Sequence, residues 1–298
     1  MLNSDAIWII FTGFLVASSC GLLGSFLVLR RMAMVGDAIS HAVLPGIVIG
    51  YLVTGSREPW VMVPAAGLLG ILTSSIIEVL HQKAGVQSDA SIGVTFTFLF
   101  AIGVILISMF AGQVDLDQEC VLYGEIAYLP LNPLVLANGW SLGPKMVWIL
   151  MPLLLLISLG IYLFYTPLSL TAFDPAFALS IGIKVGFWHQ VLMGAVSFTT
   201  VASFDSVGAI LVVAFLVVIP STAWLLSQRL PLMLGLCLLL AFIISVTGYL
   251  AASWLNVSIS GAMACSAGVL FVLAFLFSPL EGRVWLAFKK KSQQIGAI

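Results

Sequence analysis

Asp37 and His41 stand four residues apart in the run Arg30-Arg-Met-Ala-Met-Val-Gly-Asp-Ala-Ile-Ser-His-Ala-Val-Leu-Pro-Gly-Ile-Val-Ile-Gly50. On a helix, positions i and i+4 share one face, so the carboxylate and the imidazole point the same way. Pro45 follows four residues after His41. Proline has no N–H, so the His41 carbonyl loses its helical partner. A carboxylate, an imidazole and a free carbonyl on one side of one helix can hold a cation, provided that this face lines a path. Several divalent metal ions accept carboxylate and imidazole, so two ligands do not choose among them. Incomplete ligation suits a passing ion, which must also leave. The plainer alternative is a polar pair that ties two helices together.

The elements that must position this pair are membrane helices. The chain has 298 residues, of which 61% are hydrophobic and 8% charged, and its mean hydropathy is +1.19. A soluble domain carries roughly 25% charged residues. The apolar runs are long and lack the alternation of a barrel, which makes this an all-α polytopic membrane protein. Spans are expected near 6–29, 35–54, 60–81, 90–111, 146–166, 188–204, 207–227, 232–253 and 258–279. The stretch 188–227 reads either as two short spans or as one span and a re-entrant piece, giving nine crossings or eight. The whole chain, 1–298, is expected to form a single membrane domain, with an inner loop near 166–187 and a tail near 280–298. The first residues lack the basic region of a cleaved signal peptide, so the first span is expected to stay.

Lysine and arginine set the orientation. With the N-terminus outside, the inner segments hold Arg30, Arg31, Lys83, Lys184, Arg229, Arg283, Lys289, Lys290 and Lys291, and the outer ones only Arg57 and Lys145. The C-terminus is then cytoplasmic. Counted as one helix from Arg31, Asp37 lies roughly 9 Å in and His41 roughly 15 Å in. An ionisable residue at such depth is costly to keep and reads by default as functional.

Other residues mark further candidates. Ser88 or Asp89 opens the fourth span as a helix cap. The outer segment 112–125 gathers Asp115, Asp117, Glu119 and Glu125, which could attract cations or meet another protein, or simply be a solvated loop. In the 166–187 loop, Asp174 and Pro175 start a turn that opens a short helix through Phe177 and Ala178, ending at Gly182. Asp205 is a further pathway candidate, with a helix cap as the alternative. Pro220 frees the Leu216 carbonyl. His81 and His189 sit at inner span ends, where polar residues are ordinary. Gly46 and Gly50 allow another helix to approach closely. The cysteines show no metal-type spacing and imply no disulfide framework. A net charge of −1 argues against a nucleic-acid partner. The chain has no phosphate loop of its own and no His-Glu-x-x-His or Gly-x-Ser-x-Gly motif, which gives no catalytic residues.

The segment Gly24 to Met32 followed by Gly36-Asp37-x-x-Ser40-His41-Ala42 resembles the permease family of ATP-binding-cassette importers for manganese, zinc and iron. Ser88 to Gly93, Val114 to Gly124, Phe173 to Ala178 and Ser206 to Ala223 resemble further segments of that family, in the same order. The resemblance implies two permeases, identical or related, two cytoplasmic ATPase subunits that bind the ATP, and an extracytoplasmic metal-binding protein. It carries the pathway ligands onto Asp37 and His41, and the ATPase-coupling segment onto Asp174 to Gly182. It implies a prokaryotic cell membrane and a transported divalent ion, with no covalent cofactor. The 114–124 segment leans to manganese or iron over zinc. An ion-coupled secondary transporter without an ATPase, and a membrane enzyme using Asp37 and His41 as acid and base, remain as other classes.

Overall fold

The computed structural model describes residues 4–55, 59–110, 126–131, 133–135 and 141–278. Its helices are α1 (Ser4–Leu29), α2 (Met34–Ala42), α3 (Leu44–Thr54), α4 (Pro59–Gln82), α5 (Ser88–Phe110), α6 (Val147–Leu163), α7 (Tyr165–Phe173), α8 (Pro175–Ser180), α9 (Val185–Val207), α10 (Ala209–Leu226), α11 (Leu230–Leu255) and α12 (Ile259–Phe277). Between α5 and α6 lie a 3-10 turn, Ile126–Leu131, and an antiparallel pair, β1 (Pro133–Val135) with β2 (Ser141–Pro144). That short pair, with Pro133 opposite Pro144, is a feature the apolar-run reading did not contain.

Among the described residues, seven helical stretches are long and apolar enough to cross a membrane, and α6 with α7 makes an eighth, bent by 76°. Helix α9 has 23 residues. At 1.5 Å per residue that is about 34 Å, long enough to cross, although α9 is not among the stretches that are also apolar enough. The stretch 188–227 is therefore two helices, broken at Gly208 (φ 80°). As one rod α9 and α10 would reach about 60 Å, twice the hydrocarbon thickness.

Helix α1 is the hub. It packs against α6, α9, α10 and α11. Almost every side chain from Leu15 to Leu27 is buried, and a helix that is apolar all round belongs in an interior. In α1 the buried Ser18 Oγ has no partner among the described residues, while three other hydroxyls spend their donors locally: Thr12 on the Trp8 carbonyl, Ser19 on Leu15 and Ser25 on Gly21. Ser40, Thr95, Thr199 and Ser245 do the same on their own helices. Such back-bonding lets a hydroxyl sit in an apolar bundle without a second partner. Gly46 does bring α3 close to α4: a Cβ there would meet the Ala66 Cα at 3.0 Å.

The first helical turn-around is tight. Arg31 takes a left-handed conformation (φ 58°) after α1. The Met32 N–H bonds the Leu27 carbonyl (2.9 Å) and the Arg31 N–H bonds the Val28 carbonyl (3.0 Å). This paired closure is a Schellman motif with arginine in glycine's usual place. Met32 then accepts from the Val35 N–H (3.1 Å), and α2 starts at Met34. The depth counted at helical rise from Arg31 is corrected, because α2 starts only at Met34. His41 lies seven residues into α2, about 10 Å from its start.

The expected span 35–54 holds as one membrane-crossing stretch, Met34–Thr54. Its helix is interrupted at Val43, where α2 ends and α3 begins. Pro45 has no N–H for His41, and the helix restarts with the Gly46 and Ile47 N–H groups on the Val43 carbonyl at 2.9 and 3.2 Å. The free carbonyl predicted at His41 is thus one of several at the end of α2.

Candidate functional site

Helix α2 is held on the bundle by α4, α5, α9 and α10. Val35, Gly36, Ala38, Ile39, Ser40 and Ala42 point inward and are buried. Asp37 and His41 occupy the opposite face, with side chains 40% and 36% exposed. The i, i+4 spacing brings them together as expected: His41 Nε2 lies 3.6 Å from Asp37 Oδ1. That is ion-pair range, longer than a hydrogen bond. A metal with bonds of roughly 2.1 Å to each atom fits between them. Phe96 and Phe100 of α5 wall the imidazole, their ring centroids 5.9 and 6.1 Å from it. Asp37 stands in the first turn of α2, where a carboxylate also complements the helix dipole. Among the described residues no third His, Cys, Asp or Glu joins them within reach of one ion.

The segment expected as a loop from 166 to 187 is mostly helix. Tyr165–Phe173 and Pro175–Ser180 are helical. Local sequence explains α8. Asp174 caps it, its carboxylate accepting from the Phe177 N–H at 2.9 Å, and Pro175 takes the first position, where its missing N–H costs nothing. Gly182 (φ 86°) ends it: the Ile183 N–H reaches the Ala178 carbonyl (3.0 Å) and the Gly182 N–H the Leu179 carbonyl (3.0 Å). Only glycine takes that backbone without strain. Phe173, Phe177, Leu179 and Ile181 are all more than half exposed. Ala178 is fully buried and seats α8 on the bundle.

At the same end of the bundle lies a polar junction the sequence did not signal. Arg30 Nη2 donates to Thr171 Oγ1 of α7 (2.7 Å), and Nη1 donates to His189 Nδ1 of α9 (3.2 Å). A guanidinium can only donate, so that nitrogen of His189 carries no proton. Next to it, Gln190 donates to Glu78 Oε2 at 2.6 Å. His189, read as an ordinary interfacial residue, is thus engaged. His81 is exposed and closes a turn by donating to the Val86 carbonyl (2.9 Å).

The remaining candidates fall elsewhere. Asp205 lies in the last turn of α9, and its side chain is outside the described residues. The cap position of α10 is Gly208. Ser88 and Asp89 are inside the first turn of α5 rather than at its cap, since the Ser91 N–H already bonds the Gln87 carbonyl at 2.9 Å. Asp115, Asp117, Glu119 and Glu125 lie outside the described residues, as do Arg57 and the tail from 279.

Comparison with known proteins decides the class. The profile of the ABC 3 transport family matches residues 5–278. The chain belongs to the ABC 3 transport family. It is the membrane permease of an ATP-binding-cassette transporter, which sets aside the ATPase-independent transporter and the membrane enzyme. The permease is 54% identical over 275 residues to the manganese transport system membrane protein MntD of Bacillus subtilis, covering 92% of each chain. It is 42% identical to the zinc transport system membrane protein TroD of Treponema pallidum, over 90% of this chain and 73% of that one. Its fold resembles PsaBC from Streptococcus pneumoniae, solved in complex with Fab, with a TM-score of 0.78, 29% identity and 96% coverage of both chains. An inward-facing metal-chelate type ABC transporter, at 16% identity and a TM-score of 0.61, shares the fold.

Proposed function

We propose that this permease imports a divalent transition-metal ion, with manganese first and iron or zinc as alternatives, by alternating access driven by a separate ATPase. The observation that carries it is the Asp37 and His41 pair on the open face of α2. Charged groups left facing lipid are expensive, so another surface must cover them. A second copy of the permease, or a relative, placed over this face adds a second pair of ligands and encloses the ion. The sequence similarity to MntD supports manganese, and the similarity to TroD keeps zinc in view.

The orientation follows the basic residues, with the N-terminus outside and the C-terminus cytoplasmic in a prokaryotic cell membrane. The Arg30 end, with α7 and α8, is then cytoplasmic. The exposed Phe173, Phe177, Leu179 and Ile181 form the apolar surface on which the ATP-binding subunit docks. An extracytoplasmic metal-binding protein delivers the ion at the other end, where the 112–125 carboxylates help to attract it.

The test uses cells lacking their own manganese and zinc importers. The permease is expressed with its ATPase and binding protein, and manganese, iron and zinc are measured together. Manganese is expected to accumulate. Loading of zinc alone overturns the ion assignment, and loading without the ATPase overturns the ATP-driven mechanism. Docking has its own test. Asp174→Ala removes the cap of a six-residue helix, at a cost of about 1 kcal/mol. Several-fold less ATPase is expected to copurify, and Asp174→Ser, which still caps, is expected to restore it.

A further inference from the structure

Arg30 belongs to no part of the mechanism so far, yet it stands between the docking segment and the helix that carries Asp37. On one side the Schellman turn fixes it to α2. The bonds from Arg31 to Val28, Met32 to Leu27 and Val35 to Met32 leave no slack between Arg30 and the helix carrying Asp37. On the other side its guanidinium holds Thr171, three residues before Asp174, the cap of α8. Its second contact, His189, lies in the first turns of α9. Arg30 therefore joins the docking segment to the metal-bearing helix through one side chain.

The bonding suggests a link that can change partners. Thr171 Oγ1 accepts from Arg30 and donates its own proton to the Pro167 carbonyl (2.7 Å), so its one donor is used. Arg30 Nε is buried and has no partner among the described residues. Burial draws the Arg30 pKa down to about 10, still well above neutral, so the group stays charged. Both partners that the guanidinium holds, a hydroxyl and an unprotonated imidazole nitrogen, are uncharged. Beside it lies a cavity of about 540 Å³ whose wall includes Glu78, together with Pro175 and Leu179 of α8. The cavity gives the guanidinium room, and the Glu78 carboxylate on its wall, already accepting from Gln190 (2.6 Å), is of the kind an arginine fork grips more strongly than a hydroxyl.

We propose that Arg30 is a positioning residue that couples the docking segment to the metal pathway. Movement of α8 shifts Thr171, Arg30 follows or exchanges partners, and the rigid turn carries the displacement into α2. The proposal rests on the reading of α8 as the ATPase-docking helix.

The experiment measures manganese transported per ATP hydrolysed, in proteoliposomes holding the complete complex with its binding protein. Thr171→Val keeps the shape and removes the hydroxyl, Arg30→Lys keeps the charge and removes the fork, and Thr171→Ser returns the hydroxyl. Thr171→Val and Arg30→Lys are expected to retain the ATPase but lower the ratio by about tenfold, the scale of a hydrogen bond to a charged group. Thr171→Ser is expected to restore it. A residue with a purely structural role would change the amount of complex and leave the ratio alone, so that result overturns the proposal, as does a normal ratio in both variants. Phe177→Asp separates the two readings. If it leaves ATPase binding intact, the docking assignment has failed. If it abolishes binding while Thr171→Val couples normally, only the Arg30 link has failed.

Discussion

Asp37→Asn and His41→Ala are each expected to lower manganese accumulation by at least about tenfold, with normal amounts of permease in the membrane. Loss of outer-shell partners alone costs metal sites about 10- to 100-fold, and each of these changes removes one of only two ligands that α2 presents. The cost to folding should be small. Neither side chain is buried, and their mutual contact is 3.6 Å with both groups more than a third exposed. Asp37 also stands in the first turn of α2, where losing its charge costs about 0.3–1 kcal/mol, too little to unfold a helix held by four neighbours. The comparison separates function from packing. A polar pair that merely joins helices would, when cut, lower the amount of folded protein and leave the transport of what remains unchanged. Normal accumulation in both variants would end the pathway assignment and shift attention to Asp205 and the 112–125 carboxylates.

Gly24→Ala is expected to prevent the permease from folding into a detergent-stable form, and so to abolish transport by a different route. Pro220 has no N–H, so the Leu216 carbonyl of α10 is unpartnered within its own helix. Helix α1 lies against that carbonyl. A Cβ on Gly24 would sit 2.9 Å from the Leu216 carbonyl carbon, closer still to its oxygen, and 3.0 Å from the Pro220 ring. None of these is a flexible side-chain tip. The same Leu216 carries α2, where a Cβ on Gly36 would meet Leu216 Cδ1 at 3.0 Å. Relief therefore requires α1, α2 and α10 to part, and overpacking of this kind costs roughly 1–3 kcal/mol or more. Gly160→Ala is the control. Nothing lies within 4 Å of its position, and alanine favours a helix over glycine by roughly 1 kcal/mol. It is expected to raise the melting temperature slightly or leave it unchanged. Equal behaviour of the two variants would show that the α1 and α10 contact does not limit folding.

Much of the site was legible because its signals are local. The i, i+4 spacing put Asp37 and His41 on one face without knowledge of any neighbour. Asp174, Pro175 and Gly182 start and stop α8 through their own side chains and backbones. Where the reading fell short, the deciding partner was distant or the signal ambiguous. Pro45 promised a freed carbonyl, and it does that, but it also ends α2 and restarts α3 one residue on. Arg30 and His189 looked like ordinary basic residues at span ends, because the two groups that Arg30 bonds, Thr171 and His189, lie far along the chain from it. Ser88 and Asp89 are both good cap residues, and the sequence offered no means of seeing that the helix begins one residue earlier.

The amino-acid sequence by itself determined that this chain is a bundle of membrane helices, where most of them begin and end, and which two ionisable residues share a face at the α2 step. Length, apolarity and capping are properties of single segments. Only the tertiary structure decided that α1 is the buried hub, that the Asp37 face stays open while the Gly36 face is covered, and that Arg30 meets Thr171. The physical reason is the solvent. In a bilayer an apolar side chain gains little by exchanging lipid for protein, so a span such as α1 carries no polar face to say which side turns inward. Close packing of small residues and a few hydrogen bonds settle that arrangement, and both exist only once the helices have met.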